Sequence, residues 1–162
     1  MTSDQGQRPD ATADPAEERR WADLADRVLI IAREIQFRGY TDERAVPLSP
    51  SEGMVMRYLQ LDTAATPSRI AAATGLQRTN LSTTLRGLEH KRLIERRASP
   101  GDGRRVTVHA TDQGMSNYAL VRKEWAAAVS AAAGNDSSDL DAALKLLAAV
   151  EAGLVKARPP RS

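Results

Sequence analysis

The chain contains no cysteine, which removes disulfides, thiolate metal sites and thiol redox sensing in one step. Aromatic residues are scarce, at 4% of 162 residues, so a core must be assembled from Leu, Val, Ile and Ala, a composition that favours helices. No apolar run approaches the ~18 residues of a membrane span, and the opening "MTSDQGQRPDATAD" has no apolar signal-peptide centre. The expectation is a cytoplasmic protein without a membrane partner. Only His90 and His109 are available as neutral-pH bases, and neither has a Ser or carboxylate at a spacing that suggests a triad. Two lone histidines without cysteine also make a poor metal site. The chain therefore reads as a non-enzyme with no catalytic residue, no metal ligand and no cofactor.

What is present is ordinary in bulk and uneven in detail. A length of 162 residues corresponds to about one domain, and 41% hydrophobic with 27% charged residues suits a globular chain. The net charge of +2 is too small to argue for nucleic acid by itself.

Residues 1–13 offer nothing to bury and read as a disordered tail. Asp14-Pro15-Ala16-Glu17 has the form of a helix start, with an Asp cap and Pro in the first turn. Trp21, Leu24, Ala25, Val28, Leu29, Ala32 and Ile35 follow at helical spacing, up to Gly39. Ser49-Pro50-Ser51-Glu52 is a full capping box. The helix it opens is expected to present Met54, Val55, Tyr58 and Leu59 on one face and to end near Asp62. A short helix then starts at Thr66-Pro67, Gly75-Leu76 turns the chain, and a second helix runs from about Gln77 to Lys91, with Leu81, Leu85 and Leu88 inward. Two helices joined by a tight Gly-containing turn form a helix-turn-helix pattern. The segments "RLIERR" and "RRVTVHA" flank a Pro-Gly-Asp-Gly loop, with Val106 and Val108 alternating as in a strand. This hairpin reads as a wing. Thr111 caps a long helix to about Ala133, and Ser138 to Asp141 starts the last one. The fold class expected is mostly α with a small β-hairpin wing: a winged helix-turn-helix whose terminal helices form a dimerisation domain.

The boundaries follow from that order. One domain covers 14–162, with dimerisation helices at about 14–38 and 112–157 and a DNA-binding lobe at about 49–110. "VLIIA" and "ALKLLAAVEAGLV" carry more apolar surface than a compact lobe could cover. Either they pack on their own chain or they form a symmetric homodimer, which would match paired DNA half-sites.

Charge is segregated along this order. From Thr66 to Ala110 there are nine basic and three acidic residues, a net +6; the remainder holds fourteen basic and eighteen acidic, a net −4. A cationic patch coinciding with a helix-turn-helix is the footprint of phosphate binding. With Leu81, Leu85 and Leu88 inward, Thr79, Ser82, Thr83, Arg86 and His90 lie on the opposite face of the second helix. Arg reaches guanine edges, and Ser and Thr bond bases or phosphates. Lys91, at the end of that helix, is expected to meet phosphate.

The segments "LSPSEGMVMRYL", "TPSRIAAATGLQRTNLSTTLRGLEHKRLIERR" and "DGRRVTVHATDQG" together resemble the MarR family of bacterial winged-helix regulators. The family wing reads Asp-x-Arg, then Leu-Thr and Gly; here these are Asp102, Arg104, Ala110-Thr111 and Gly114. Ala110 departs from the usual Leu, and Gln77 stands where a better capping Ser or Asp is common. The resemblance implies a homodimer on a pseudo-palindromic operator, usually as a repressor. It also implies that Arg104 enters the minor groove while Asp102 holds its guanidinium. The expected DNA-binding set is Gln77, Arg78, Thr79, Ser82, Thr83 and Arg86 on the second helix, Arg69 on the first, and Arg104 and Arg105 on the wing. Members of the family often bind small aromatic or phenolic anions; Trp21, Arg38, Tyr40 and Tyr58 are residues of suitable chemistry, but no effector site is assigned. The competing reading is an architectural protein that binds double-stranded DNA without sequence preference.

Overall fold

The computed structural model describes residues 14–99 and 102–159, with the side chains of Ser99 and of residues 102–105 outside the description. The expected tail at 1–13 lies outside the described residues. The chain divides into two compact units, one ending at Arg38 and one beginning at Gly39.

The described part of the first unit is a single helix, α1 (Pro15–Phe37). Asp14 caps it, its carboxylate accepting from the Ala16 amide at 3.0 Å, and Trp21 Nε1 donates to Glu17 one turn back. Arg38 is extended, so the helix ends before Gly39. No residue of α1 is buried; Leu29 is 69% exposed, and Val28, Ile30 and Ile31 are exposed as well.

The second unit contains α2 (Pro50–Leu61), β1 (Ala64–Ala65), α3 (Pro67–Thr74), α4 (Arg78–His90), β2 (Ile94–Ser99), β3 (Asp102–Ala110), α5 (Asp112–Ala132) and α6 (Leu140–Lys156). The Ser49 capping box forms as expected, with Ser49 N on Glu52 Oε2 at 2.8 Å and Glu52 N on Ser49 Oγ at 3.3 Å. The buried face of α2 differs from the sequence expectation. Met56 joins Val55 and Leu59 in the core, whereas Met54 is 41% exposed and Tyr58 only half-buried. Glu52 shares this buried face, its Oε2 accepting from the Ser49 amide and from Lys91 Nζ, while Met54 lies outside it.

The hairpin of β2 and β3 is antiparallel, running from Ile94↔Ala110 to Ala98↔Val106, with an irregularity at Ala98/Ser99 before Ser99↔Asp102. A third strand, β1, pairs on the other side of β3 through Ala64↔His109 and Ala65↔Val108. Two alanines are too few to show alternation, which is why β1 is absent from the sequence reading. The core joins Val55, Met56 and Leu59 of α2 with Ile70, Leu81, Leu85, Leu88, Leu93, Val108 and Tyr118. Each such aliphatic side chain contributes about 1.5–3 kcal/mol through burial. Trp125 closes this core, its ring set edge-on to Tyr118 at 6.4 Å.

Thr111 starts α5 by accepting from the Gly114 amide at 2.9 Å, while its own hydroxyl donates to the Arg92 carbonyl. Gly114 packs directly on the Leu93 carbonyl: a Cβ there would sit 1.9 Å from that oxygen. Gly134 and Asn135, both at positive φ, end the segment after α5. The α6 helix buries none of its residues, and Leu140, Leu144, Leu147 and Leu154 are all exposed. No helix among the described residues is long and apolar enough to cross a membrane.

Candidate nucleic-acid interface

The α3–α4 pair is set by short-range chemistry. Thr66 caps α3, its hydroxyl accepting from the Arg69 amide at 3.3 Å, with Pro67 in the first turn. Gly75 ends the helix in the left-handed region at φ 78°, where glycine carries no Cβ penalty. The α4 helix begins after Gln77, whose side chain makes no capping bond. Leu81, Leu85 and Leu88 are buried as their spacing requires, together with Thr84, whose hydroxyl donates to the Asn80 carbonyl at 2.8 Å. That bond satisfies Thr84 within the helix and leaves the outer face to other residues.

The outer face carries Gln77, Arg78, Thr79, Ser82, Thr83, Arg86 and His90, all exposed. Arg86 Nη2 lies 3.4 Å from Thr83 Oγ1, so these two side chains stand side by side. Hydroxyls and guanidinium groups along one exposed helix stripe can bond both base edges and phosphate oxygens.

The cations of the region divide into two groups. Arg69 pairs with Asp62 at 3.0 Å, Arg96 with Glu89 at 3.3 Å, and Arg97 with Glu95. Asp62 also accepts from the Tyr58 hydroxyl at 3.1 Å; burial first, then the carboxylate, keeps that phenol protonated above its usual range. Lys91 is turned inward: its Nζ donates to Glu52 Oε2 at 2.6 Å and to the Pro47 carbonyl at 2.8 Å. The sequence placed Lys91 toward phosphate; here its ammonium is engaged by Glu52 and Pro47 instead. A buried carboxylate at the start of α2 claims it, and the sequence offers no sign of a partner 39 positions away. Arg78, Arg86 and Arg92 form no ion pair with a described residue and carry the exposed positive charge around α4. The side chains of Asp102, Arg104 and Arg105, and the Pro100-Gly101 tip, lie outside the described residues; the β2–β3 backbone that carries the wing is described. His109, in β3, is engaged with Thr107 Oγ1 at 2.9 Å.

A second feature has no counterpart in the sequence reading. The segment before α2 is tied to α5 at two points. The Thr41 amide donates to Glu124 Oε2 at 2.8 Å, and Val46 exchanges two bonds with the buried Asn117 amide at 2.8 and 3.0 Å. Between these ties lies an open depression of about 500 Å³, with Arg44 and Lys123 as cations and Val46, Ala119 and Leu120 as apolar wall. Arg44 grips Asp42 through two side-chain bonds, which hold the Asp42 carboxyl down at about 2. Of the earlier candidates, Trp21 and Arg38 belong to the first unit, and neither Tyr40 nor Tyr58 lines this depression. Only a long-range contact, invisible to local patterning, forms it.

Residues 46–105, which span α2 to the wing, match the model of the MarR family. A search among curated proteins gives no match. Among solved structures, a MarR family transcription regulator is 24% identical with a TM-score of 0.62, over 88% of this chain and 96% of that one. The organohalide-sensing regulator RdhR, in its 2,4-dichlorophenol-bound form, is 15% identical with a TM-score of 0.63, over 96% and 90%. A MepR variant from S. aureus, bound to an oligodeoxyribonucleotide, is 20% identical with a TM-score of 0.54, over 81% and 97%. At these identities the likeness carries the fold, a winged helix-turn-helix.

Proposed function

We propose that this chain, a member of the MarR family of winged helix-turn-helix transcriptional regulators, acts as a homodimeric repressor on a pseudo-palindromic operator and leaves it when a small aromatic anion binds. The observation that carries the DNA-reading part is the outer stripe of α4. Thr79, Ser82, Thr83 and Arg86 are exposed on a helix whose other face is locked into the core. Those four residues, with Gln77 and Arg78, enter the major groove, Arg104 of the wing reaches the adjacent minor groove with Asp102 orienting it, and Arg105 binds the DNA beside it. Arg69, exposed at the start of α3 and paired with Asp62, belongs to the same DNA-binding set.

The dimer is supported by the exposed apolar residues of α1 and α6. Leu29 and Leu154 are each 69% exposed, within runs of exposed leucine, isoleucine and valine. Such faces on a chain of this size mark an interface, and an isologous pairing presents two copies of α4 to two half-sites. Effector binding is supported by the depression lined by Val46, Ala119 and Leu120, where the Lys123 ammonium beside an apolar wall suits a carboxylate or phenolate on a small ring, Arg44 being already paired with Asp42. That DNA-bound and dichlorophenol-bound proteins share the fold agrees with both partners. Hydroxyl-radical footprinting on the DNA upstream of its own gene tests the whole reading. Two protected half-sites about 10–10.5 bp apart, or a multiple, are expected; one continuous, sequence-independent footprint contradicts it and favours an architectural role.

A further inference from the structure

We propose that Arg158 is a positioning residue for the DNA-reading helix, strapping the end of α6 to the turn of the helix-turn-helix. The last carbonyls of an α-helix have no partner within it and form the negative end of its dipole. At the end of α3 the Gly75 amide takes the Ala71 carbonyl, while Ala72 and Ala73 point their carbonyls at Arg158. Its Nη1 donates to them at 3.4 and 3.1 Å. The guanidinium lies against Gly75 itself, where a Cβ would come within 2.9 Å of Arg158 Cζ. Gly75 thus serves two ends: it accepts the left-handed turn and leaves room for the strap. The α4 helix begins three residues later.

A second tie stands seven residues back, two turns along the chain. Arg57 of α2 meets Glu151 of α6 with both nitrogens, each at 3.1 Å. Exposed contacts of this kind add little stability singly, but two of them at separate points remove the freedom of α6 to swing against the lobe. Their effect is therefore geometric. If α6 belongs to the two-fold interface, the strap sets the distance between the two copies of α4; this step rests on the homodimer reading proposed above.

The experiment uses the full chain as wild type, Arg158→Ala and Arg158→Lys, on operator duplexes with the natural half-site spacing and with one base pair added or removed, at three salt concentrations. Wild type is expected to prefer one spacing. Arg158→Ala should bind that duplex about 3- to 10-fold more weakly, the scale of one typical net hydrogen bond at an exposed site, and its preference among spacings should flatten while the melting temperature barely moves. Arg158→Lys should recover part of the preference, since an ammonium group reaches one carbonyl without the guanidinium's planar fork. An unchanged spacing preference in Arg158→Ala overturns the proposal. So does a uniform loss on all duplexes with a smaller salt slope, which would mark Arg158 as a phosphate contact. A wild type indifferent to spacing overturns the homodimer reading, and the strap with it.

Discussion

Lys91 and Glu52, 39 residues apart, meet at 2.6 Å through Nζ and Oε2. The pair joins the end of α4 to the start of α2. Glu52 is 5% exposed and also closes the capping box on Ser49, so one carboxylate serves both the cap and the interhelix tie. Removing one member of a buried pair leaves the other charge without a partner, at a cost of about 3–5 kcal/mol. Because the Lys91 side chain keeps 30% of its exposure, the expected loss for Lys91→Ala is smaller, about 2–4 kcal/mol. Thermal unfolding reads this, and adding Glu52→Gln should restore part of the loss. In DNA binding the folded Lys91→Ala protein should keep the wild-type salt slope, since Lys91 neutralises a carboxylate and not a phosphate. A slope lower by about one per subunit would place Lys91 on DNA.

Gly114 faces the opposite constraint: backbone against backbone. A methyl at Gly114 would lie 1.9 Å from the Leu93 carbonyl oxygen, and that carbonyl already accepts from the Thr111 amide at 3.1 Å. Neither side can yield without opening the junction between β2 and α5. Gly114→Ala should destabilise the fold by about 3 kcal/mol or more, seen as a lower urea midpoint. A midpoint within error of wild type would mean that the junction relaxes freely.

The apolar face of α6 gives a prediction about assembly. Leu144→Asp with Leu147→Asp places two carboxylates on exposed helix positions, where they cost the monomer little. Analytical ultracentrifugation should show the double variant as a monomer, and operator binding should fall with it. A variant that stays dimeric with full operator affinity would move the interface away from α6.

The absence of cysteine sets the response to oxidants. Peroxide at thiol-oxidising doses should not release the protein from DNA, because neither a sulfenate nor a disulfide can form. Mass spectrometry must accompany the titration, since four methionines remain oxidisable. Release without methionine oxidation would reveal a sensor of another kind.

Much of the fold is legible in the sequence because its signals are local. The Ser49 box, the Thr66 cap, the Gly75 turn, the Thr111 cap and the Leu81-Leu85-Leu88 stripe each act within about two helical turns, and each is found where expected. Exposure of Thr79, Ser82, Thr83 and Arg86 follows from the same 3.6-residue period. What escapes is long-range. Glu52 finds Lys91, Arg158 finds the end of α3, Asn117 finds Val46, and β1 finds β3. Each depends on where the chain returns in space. Met54 shows the consequence: the buried face of α2 is Glu52, Val55, Met56 and Leu59, and Met54 lies outside it.

The central claim is that α4 and the wing read sequence. It is tested most directly by the affinity of the wild-type protein for its operator and for a scrambled duplex of equal length and composition, at three salt concentrations. Both affinities should fall steeply with salt as counterions are released, while the operator stays about 10³-fold or more tighter throughout. Equal affinities for the two duplexes at every salt would contradict the account and leave a cationic surface that binds phosphate alone.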